Sequence, residues 1–312
     1  MTLAKRKWAV RTWRLRRRVR WQWCSEPRLV MLVHPDPMKR LSAPWFALPL
    51  LPLLSLPVVA QESAPAAPLG STIYTWETRE AKPTGVGERR EVARQPTATL
   101  AEFECHISTL NPAQASHPPH THPQEELIIL RDGTLDVHLD GKDTRVGPGS
   151  LFFFPANHPH AVQNHGDKPA TYFVFNFSTA ATAKLRGQGP APTPAGGRAD
   201  TIFDWAKLAV TPTKVGERRD VCDMPTATLA NFECHITTIN AGEAPHAPHH
   251  HPDEEILLLK EGTLDVTING KTQRITPGSI VLVSSNDEHG WKNAGATAAT
   301  YYVMRLKTEK TP

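Results

Sequence analysis

The chain has 312 residues, enough for two domains of ordinary size, and its 39% hydrophobic and 21% charged residues are typical of a globular protein and exclude a disordered one. The formal net charge is +4, but residues 1–60 hold 12 Lys and Arg and two acids, which leaves 35 − 12 = 23 bases and 31 − 2 = 29 acids, a net charge of −6, in the remainder. A mildly acidic folded part would repel a phosphate backbone, so we expect no nucleic-acid partner.

The N-terminal residues have the order of an export signal. Met38-Lys39-Arg40 is basic, residues 43–57 are mostly apolar, and Val58-Val59-Ala60 places small residues before the next position, as secretory signal peptides do. We predict a signal peptide at 38–60, a periplasmic or secreted protein, and membrane contact only through this signal. A membrane anchor is the alternative, but the apolar stretch of about 18 residues is short for a span and four prolines interrupt it.

Residues 1–37 match no pattern well. They could include a basic amphipathic segment for a membrane surface, but we favour a non-native upstream extension, with Met38 or Met31 as the true start. Residues 61–70 are expected to be a flexible lead-in.

The rest of the sequence is a tandem repeat with an offset of 249 − 120 = 129 residues. Residues 87–164 and 216–293 share 41 identities in 78 positions without a gap. A period this long indicates a duplicated domain and not a solenoid repeat. We therefore predict domains at 71–180 and 201–308, joined by a Pro/Gly/Ala linker at 181–200.

Each repeat has the periodicity of β-strands. The run TLAEFECHISTL alternates polar and apolar residues, and ELIIL, TLDVHL, SLFFFP and TYFVFNF follow it as short strand-like runs. Asp140-Gly141 and Asn269-Gly270 predict two-residue hairpin turns, because these turns need a positive φ. Many short antiparallel strands without a long helical pattern predict an all-β fold, with a sandwich or barrel in each repeat.

Export would permit disulfides, but three cysteines remain after the leader is removed. Cys105 and Cys234 occupy equivalent positions in the two repeats, so we expect no contact between them and predict small buried apolar side chains there.

A histidine-and-glutamate motif occurs once in each repeat, as HTHPQEE (120–126) and HHHPDEE (249–255). Alternation at a strand end would place both histidines on one face, the second glutamate begins the next strand, and a third histidine follows one hairpin later. The candidate metal ligands are His120, His122, Glu126 and His160 in the first repeat, and His249, His251, Glu255 and His289 in the second.

The spacing HxH-x3-E-x6-G, followed by G-x5-P-x-G-x2-H-x3-N, resembles the cupin superfamily, and two copies resemble a bicupin. The resemblance covers about residues 71–308. Asn157 and Asn286 replace the second glycine of the later motif, and Ser284 replaces its proline; asparagine tolerates the left-handed backbone that such a turn needs. The resemblance implies two tandem antiparallel jelly-roll barrels, each with a metal inside, that pair as an intramolecular pseudo-dimer in a monomeric chain.

Three imidazoles and one carboxylate suit Mn, Fe, Cu, Ni or Zn, with up to two ions per chain. Four protein ligands would leave two adjacent positions of an octahedral ion open, a catalytic arrangement. We expect a metal-dependent enzyme that acts on a small organic molecule, a dioxygenase or other oxidoreductase first, in which Glu126 and Glu255 could act as bases. Decarboxylation, isomerisation and hydrolysis remain open. The alternative function is a barrel that binds a small ligand or sugar without turnover.

Other paired residues have two interpretations each. Glu104 with His106, and Glu233 with His235, are acid–base candidates if their strand face lines the barrel, and a surface row if it does not. His117 and His246 are expected to be exposed loop residues, with a proton-shuttle role as the alternative. Finally, alternation predicts that Glu125 and Glu254 point outward as solvated carboxylates.

Overall fold

The computed structural model describes residues 66–199 and 201–312. The predicted upstream extension and signal peptide, and half of the lead-in, lie outside these residues. The described part forms two barrels of antiparallel strands, which agrees with the predicted all-β class. One short helix, α1 (Ala180–Lys184), follows the first repeat. Within the described residues, no helix is both long and apolar enough to cross a membrane.

Each repeat supplies ten strands in the same order. The strands of the first repeat are β1 (Thr72–Tyr74), β2 (Lys82–Thr84), β3 (Gly87–Gln95), β4 (Glu102–Leu110), β5 (Glu125–Asp132), β6 (Leu135–Leu139), β7 (Lys142–Val146), β8 (Leu151–Phe154), β9 (His160–Gln163) and β10 (Ala170–Ser178). Those of the second repeat are β11 (Ile202–Phe203), β12 (Thr211–Thr213), β13 (Gly216–Met224), β14 (Asn231–Ile239), β15 (Glu254–Glu261), β16 (Leu264–Ile268), β17 (Lys271–Ile275), β18 (Ile280–Val283), β19 (His289–Asn293) and β20 (Ala299–Lys307).

Each barrel consists of one seven-stranded and one three-stranded sheet. Barrel 1 has the strand orders β11-β8-β5-β10-β4-β3-β2 and β7-β6-β9. Barrel 2 has the orders β1-β18-β15-β20-β14-β13-β12 and β17-β16-β19. The two barrels therefore match strand for strand, but each takes its first edge strand from the other repeat.

This exchange of edge strands joins the barrels. β1 pairs with β18 and β11 pairs with β8, both antiparallel. A one-turn 3-10 helix after each exchanged strand carries a half-buried tryptophan, Trp76 or Trp205. A Cβ added to Gly278 would lie 2.6 Å from the Trp76 ring, and one added to Gly149 would lie 2.6 Å from the Trp205 ring. The predicted domains begin at residues 71 and 201, where the repeats begin. In the structure, the first strand after each of these points, β1 or β11, belongs to the sheet of the other barrel.

The predicted hairpin turns are present. Asp140 and Gly141 have φ angles of 50° and 79°, and Asn269 and Gly270 have 46° and 76°. Asn157 and Asn286 both have a φ of 63°, so asparagine does take the left-handed position of the second motif.

An apolar core lies between the barrels in addition to the core inside each one. Phe232 of the second repeat packs against Phe153 and Phe177 of the first, with ring centroids 5.2 and 6.2 Å apart. Cys105, Cys222 and Cys234 are buried, free thiols, as expected for Cys105 and Cys234. Cys222 and Cys234 are cross-strand partners, which was not predicted from the sequence.

Candidate metal centres

Backbone pairing places the first and third histidines of each motif side by side. His120 and His160 exchange two backbone hydrogen bonds, with N···O distances of 3.1 and 3.0 Å. His249 and His289 do the same at 3.0 and 2.8 Å. The first histidine of each motif thus lies in a loop held by an isolated bridge, and not on the strand end that alternation had suggested.

The histidines form one cluster in each barrel. The ligand nitrogens of His120, His122 and His160 lie within 4.8 Å of one another, and those of the second set, His249, His251 and His289, do so as well. His160 and His289 are each 1% exposed, whereas the other members are half-buried. Each cluster is therefore partly open to a barrel mouth.

The predicted carboxylates complete these clusters. In barrel 1, the Glu126 oxygens lie 3.6 Å from His122 Nε2 and 4.0 Å from His160 Nε2. In barrel 2, the Glu255 oxygens lie 3.2 Å from His251 Nε2 and 3.7 Å from His289 Nε2. The structure thus brings together the four residues that the sequence singled out in each repeat.

Hydrogen bonds orient the rings so that Nε2 faces the cluster. Nδ1 of His122 donates to the carbonyl of Gln124 at 2.9 Å, and Nδ1 of His160 donates to that of His158 at 2.8 Å. His251 and His289 make the equivalent bonds, each at 2.9 Å. A carbonyl can only accept, so Nδ1 carries the proton and the Nε2 lone pair remains for a metal.

Unpartnered buried atoms in the clusters fit a divalent ion. Nε2 of His160, Nε2 of His289 and Oε1 of Glu255 are buried without a hydrogen-bond partner. Buried polar atoms are normally paired, and neutral imidazole and carboxylate are the donors that Mn²⁺ and its neighbours in the transition series accept. The residues present therefore fit a transition-metal centre in each barrel.

Burial also keeps key imidazoles neutral. It lowers the pKa of His160 to about 4 and that of His249 to about 4. Burial acts in the same direction on His122, but the neighbouring Glu126 carboxylate outweighs it and raises that pKa. Because a metal binds the neutral ring, His122 is the ligand in barrel 1 that acid would protonate first.

Barrel 1 contains a cavity of about 430 Å³ that is lined by the histidine cluster and by a second polar group. In this group the Glu104 carboxylate accepts hydrogen bonds from His106 Nδ1 (2.8 Å), Arg89 (3.0 Å) and Asn176 (2.7 Å). The strand face carrying Glu104 and His106 therefore lines the barrel and is not a surface row, so these two residues stay acid–base candidates.

Barrel 2 retains this second group with one change. The Glu233 carboxylate accepts from His235 Nδ1 (2.7 Å) and Arg218 (3.1 Å). Arg305 occupies the position of Asn176 and bonds Asp253 at 2.6 Å, so Glu233 Oε2 is buried without a partner. The second polar group of barrel 2 thus differs from that of barrel 1 in the partner of its glutamate.

The third histidine of each cluster is supported by an aromatic ring from a different strand in each barrel. Phe154 of β8 stacks on His160 with centroids 4.3 Å apart. In barrel 2 the β18 counterpart is Val283, and Trp291 of β19 stacks on His289 at 5.8 Å instead. The role of Trp291 was not predicted; its only signal in the sequence was a tryptophan where the first repeat has Val162.

The prediction that Glu125 and Glu254 are solvated was wrong. Both are 0% exposed. Alternation does direct them away from the barrel interior, but the other repeat covers that outer face. Burial raises the pKa of Glu125, and hydrogen bonds from Thr226 and Thr228 act against this increase.

The paired loop histidines are exposed and also adjoin the clusters. His117 and His246 are exposed, yet their rings lie 3.9 and 4.3 Å from those of His120 and His249. Exposure was the first expectation, and the contact keeps the proton-shuttle alternative open.

Known proteins resemble parts of this chain in sequence. The family described as "Cupin domain" matches residues 106–176 and 235–305, one match in each barrel. Dimethylsulfoniopropionate lyase DddQ of Ruegeria pomeroyi is 37% identical over 65 residues, 20% of this chain and 32% of that protein. Germin-like protein 9-3 of Oryza sativa subsp. japonica is 32% identical over 97 residues, 27% of this chain and 45% of that protein. The matched part thus spans less than half of these relatives.

Solved structures match over more of the chain. AerE from Microcystis aeruginosa has a TM-score of 0.56 at 17% identity and covers 73% of this chain and 97% of its own. Oxalate decarboxylase from Lactobacillus farciminis has a TM-score of 0.59 at 16% identity, covering 78% of this chain and 88% of its own. Oxalate decarboxylase from Bacillus subtilis has a TM-score of 0.59 at 15% identity and covers 78% of each chain. At such identities the likeness shows the fold alone.

Proposed function

This chain is a bicupin, a member of the cupin superfamily with two cupin domains in tandem, and we propose that it is a metal-dependent enzyme with one divalent transition-metal ion in each barrel. The observation that carries this proposal is the convergence of three imidazoles and one carboxylate in each barrel. In barrel 1 the cluster faces a cavity of about 430 Å³, which suits a small organic molecule.

Mn²⁺ is the first candidate ion, because a Bacillus subtilis oxalate decarboxylase of the same fold has Mn(II) centres. Fe, Cu, Ni and Zn accept the same donor set. When bound, such an ion would supply a Lewis acid that polarises an oxygen atom of the substrate.

The chain's own residues supply orientation and proton transfer. The carbonyls behind His122 and His160 fix the rings. Glu126 and Glu255 are carboxylates that can hold the metal or accept a proton. The Glu104 carboxylate binds Nδ1–H of His106, which leaves His106 Nε2 as the atom that exchanges a proton with a molecule in the cavity.

We place oxidation first among the reactions, as a dioxygenase-like or other oxidoreductase activity. Decarboxylation of a small carboxylic acid is second, and the oxalate decarboxylases among the structural neighbours favour it. We also propose that the signal peptide exports the protein to the periplasm or the medium, and that it acts there as a monomer.

Metal content is the first test. The protein starting at Gln61, purified without chelator or His-tag, should contain two equivalents of transition metal by mass spectrometry. The variants His120→Ala/His122→Ala and His249→Ala/His251→Ala are matched controls, and each should retain one equivalent. A chain that stays metal-free after reconstitution would refute the proposal.

Turnover is the second test. Oxygen uptake and CO₂ release should be measured on the metal-loaded protein with a panel of small organic acids that includes oxalate. Turnover that both double-histidine variants reduce would support an enzyme with two working sites. No turnover across the panel, together with tight metal-independent binding of a small ligand, would instead favour the non-catalytic binding barrel.

A further inference from the structure

A buried glutamate adjoins the ligand glutamate in each barrel. Glu125 directly precedes Glu126 in β5, and Glu254 directly precedes Glu255 in β15. Successive side chains of a strand point to opposite faces. The ligand glutamate therefore enters its own barrel, while its neighbour enters the interface with the other repeat, where it is 0% exposed.

In the described structure, the other repeat supplies the hydrogen bonds that the Glu125 carboxylate receives. Its Oε2 accepts from the hydroxyls of Thr226 and Thr228, each at 2.5 Å, and its Oε1 accepts from the backbone N–H of Ala227 at 3.0 Å. Hydrogen bonds to an ionised acceptor are among the strongest in proteins.

Glu254 of barrel 2 receives the equivalent hydrogen bonds from the first repeat. Glu254 accepts from the hydroxyls of Thr97 and Thr99, each at 2.6 Å, and from the backbone N–H of Ala98 at 3.1 Å. The sequence PTATL occurs once in each repeat, and the two copies are 129 residues apart, as are the two Glu-Glu pairs. Each PTATL copy binds the glutamate of the opposite repeat.

Each loop also contains an internal hydrogen bond that fixes its shape. The Thr226 hydroxyl also accepts from the backbone N–H of Leu229 at 2.9 Å, and the Thr97 hydroxyl accepts from that of Leu100 at 2.9 Å. A hydroxyl that accepts within its loop has its proton free to donate outward. The loop therefore presents two hydroxyl donors and one amide donor in a fixed arrangement.

We propose that the Thr-Ala-Thr loop of each repeat is a positioning element for the metal centre of the opposite barrel. It fixes Glu125 or Glu254, and through one shared peptide unit it fixes the ligand carboxylate of Glu126 or Glu255. This inference rests on the proposed metal centres. Groups that hold a metal ligand in place contribute to metal binding, and their loss lowers metal affinity by about 10- to 100-fold. Neither barrel is complete without the other.

The test uses two chains that each keep one centre. His249→Ala/His251→Ala leaves the barrel 1 centre, and His120→Ala/His122→Ala leaves the barrel 2 centre. Each receives either Thr226→Val/Thr228→Val or Thr97→Val/Thr99→Val. Mn²⁺ affinity is measured from the electron paramagnetic resonance signal of the free ion, and folding is checked by circular dichroism and gel filtration.

We expect a crossed result. Thr226→Val/Thr228→Val should weaken Mn²⁺ binding at the barrel 1 centre about tenfold or more and leave binding at the barrel 2 centre unchanged. Thr97→Val/Thr99→Val should weaken binding at the barrel 2 centre and leave the barrel 1 centre unchanged. Both changes remove equivalent contacts and should lower the melting temperature similarly, so a purely structural role would not give a crossed pattern. The serine variants, which keep the hydroxyls, should restore affinity.

Other outcomes overturn the inference at different levels. Normal Mn²⁺ affinity in both valine variants, or equal weakening at both centres, would refute the positioning role and leave the metal centres standing. If neither parent chain bound Mn²⁺ or another transition metal, the proposed function would fail together with this inference. Should a double valine variant not fold, Thr228→Val and Thr99→Val alone are to be compared in the same way.

Discussion

Alanine at Gly149 should destabilise the protein through the tryptophan that crosses from the other repeat. Gly149 has a φ of +91°, and an added Cβ would lie 2.6 and 2.7 Å from two carbons of the Trp205 indole. Carbon atoms pack at about 3.5–4.0 Å, so the indole would have to move about 1 Å out of its site. Gly141 is the matched control, because its φ is +79° and nothing lies within 4 Å of its Cβ position.

The two glycines separate backbone strain from crowding. Left-handed backbone costs alanine about 1 kcal/mol at either position, and overpacking adds about 2 kcal/mol at Gly149. Urea unfolding at 25 °C should therefore show losses of about 1 kcal/mol for Gly141→Ala and about 3 kcal/mol for Gly149→Ala. In a Trp205→Ala background the crowding is gone, and Gly149→Ala should cost only about 1 kcal/mol more. Equal losses for both glycines, or full additivity with Trp205→Ala, would refute the exchanged packing.

Three other predictions follow from buried polar groups. Burial lowers the pKa of His160 from 6.5 to about 4. Its contribution to the stability of the metal-free protein is therefore present above pH 6.5 and falls by about 2 kcal/mol between pH 7 and pH 5. Urea titrations at the two pH values should show a smaller fall for His160→Asn than for the unchanged protein, and an equal fall would contradict this prediction. Asn176→Ala should lower the free energy of unfolding by about 1.5 kcal/mol, because the buried Glu104 carboxylate loses a hydrogen-bond donor. Asn176→Asp should lower it more, because it places a second carboxylate there. Thermal melts in which Asn176→Asp is the more stable variant would count against this bond. Burial raises the pKa of Cys222 to about 12 and raises those of Cys105 and Cys234 as well. In the protein that starts at Gln61, a thiol reagent should therefore label no cysteine in the native state and three after unfolding. Rapid labelling of the native protein would show that the interface opens.

Local sequence signals predicted much of this fold. Alternation and the Asp140-Gly141 and Asn269-Gly270 pairs specify strands and turns through backbone geometry that each short segment carries itself. The ligand sets were also predictable, since their spacing is the same in both repeats and the bridge between His120 and His160 turns that spacing into proximity.

The missed features depend on which segment covers which surface. β1 could pair with β8 or with β18, because the two repeats are so similar that sequence does not distinguish them. Glu125 was directed to the correct face by alternation, but alternation cannot say whether water or another loop lies there. The stacking of Trp291 on His289 likewise depends on a neighbouring strand and not on the local pattern.

The outer edges of the two large sheets bear on aggregation. β2 and β12 end these sheets, are three residues long, are exposed throughout and have Pro83 or Pro212 at the centre. An edge strand is a template on which another chain can add a strand, and proline has no N–H to offer it. At the opposite edge the sheets end in the exchanged strands β1 and β11, which are only three and two residues long. Both edges of each large sheet are therefore poor templates for another strand, which should protect the protein from forming fibres at high concentration.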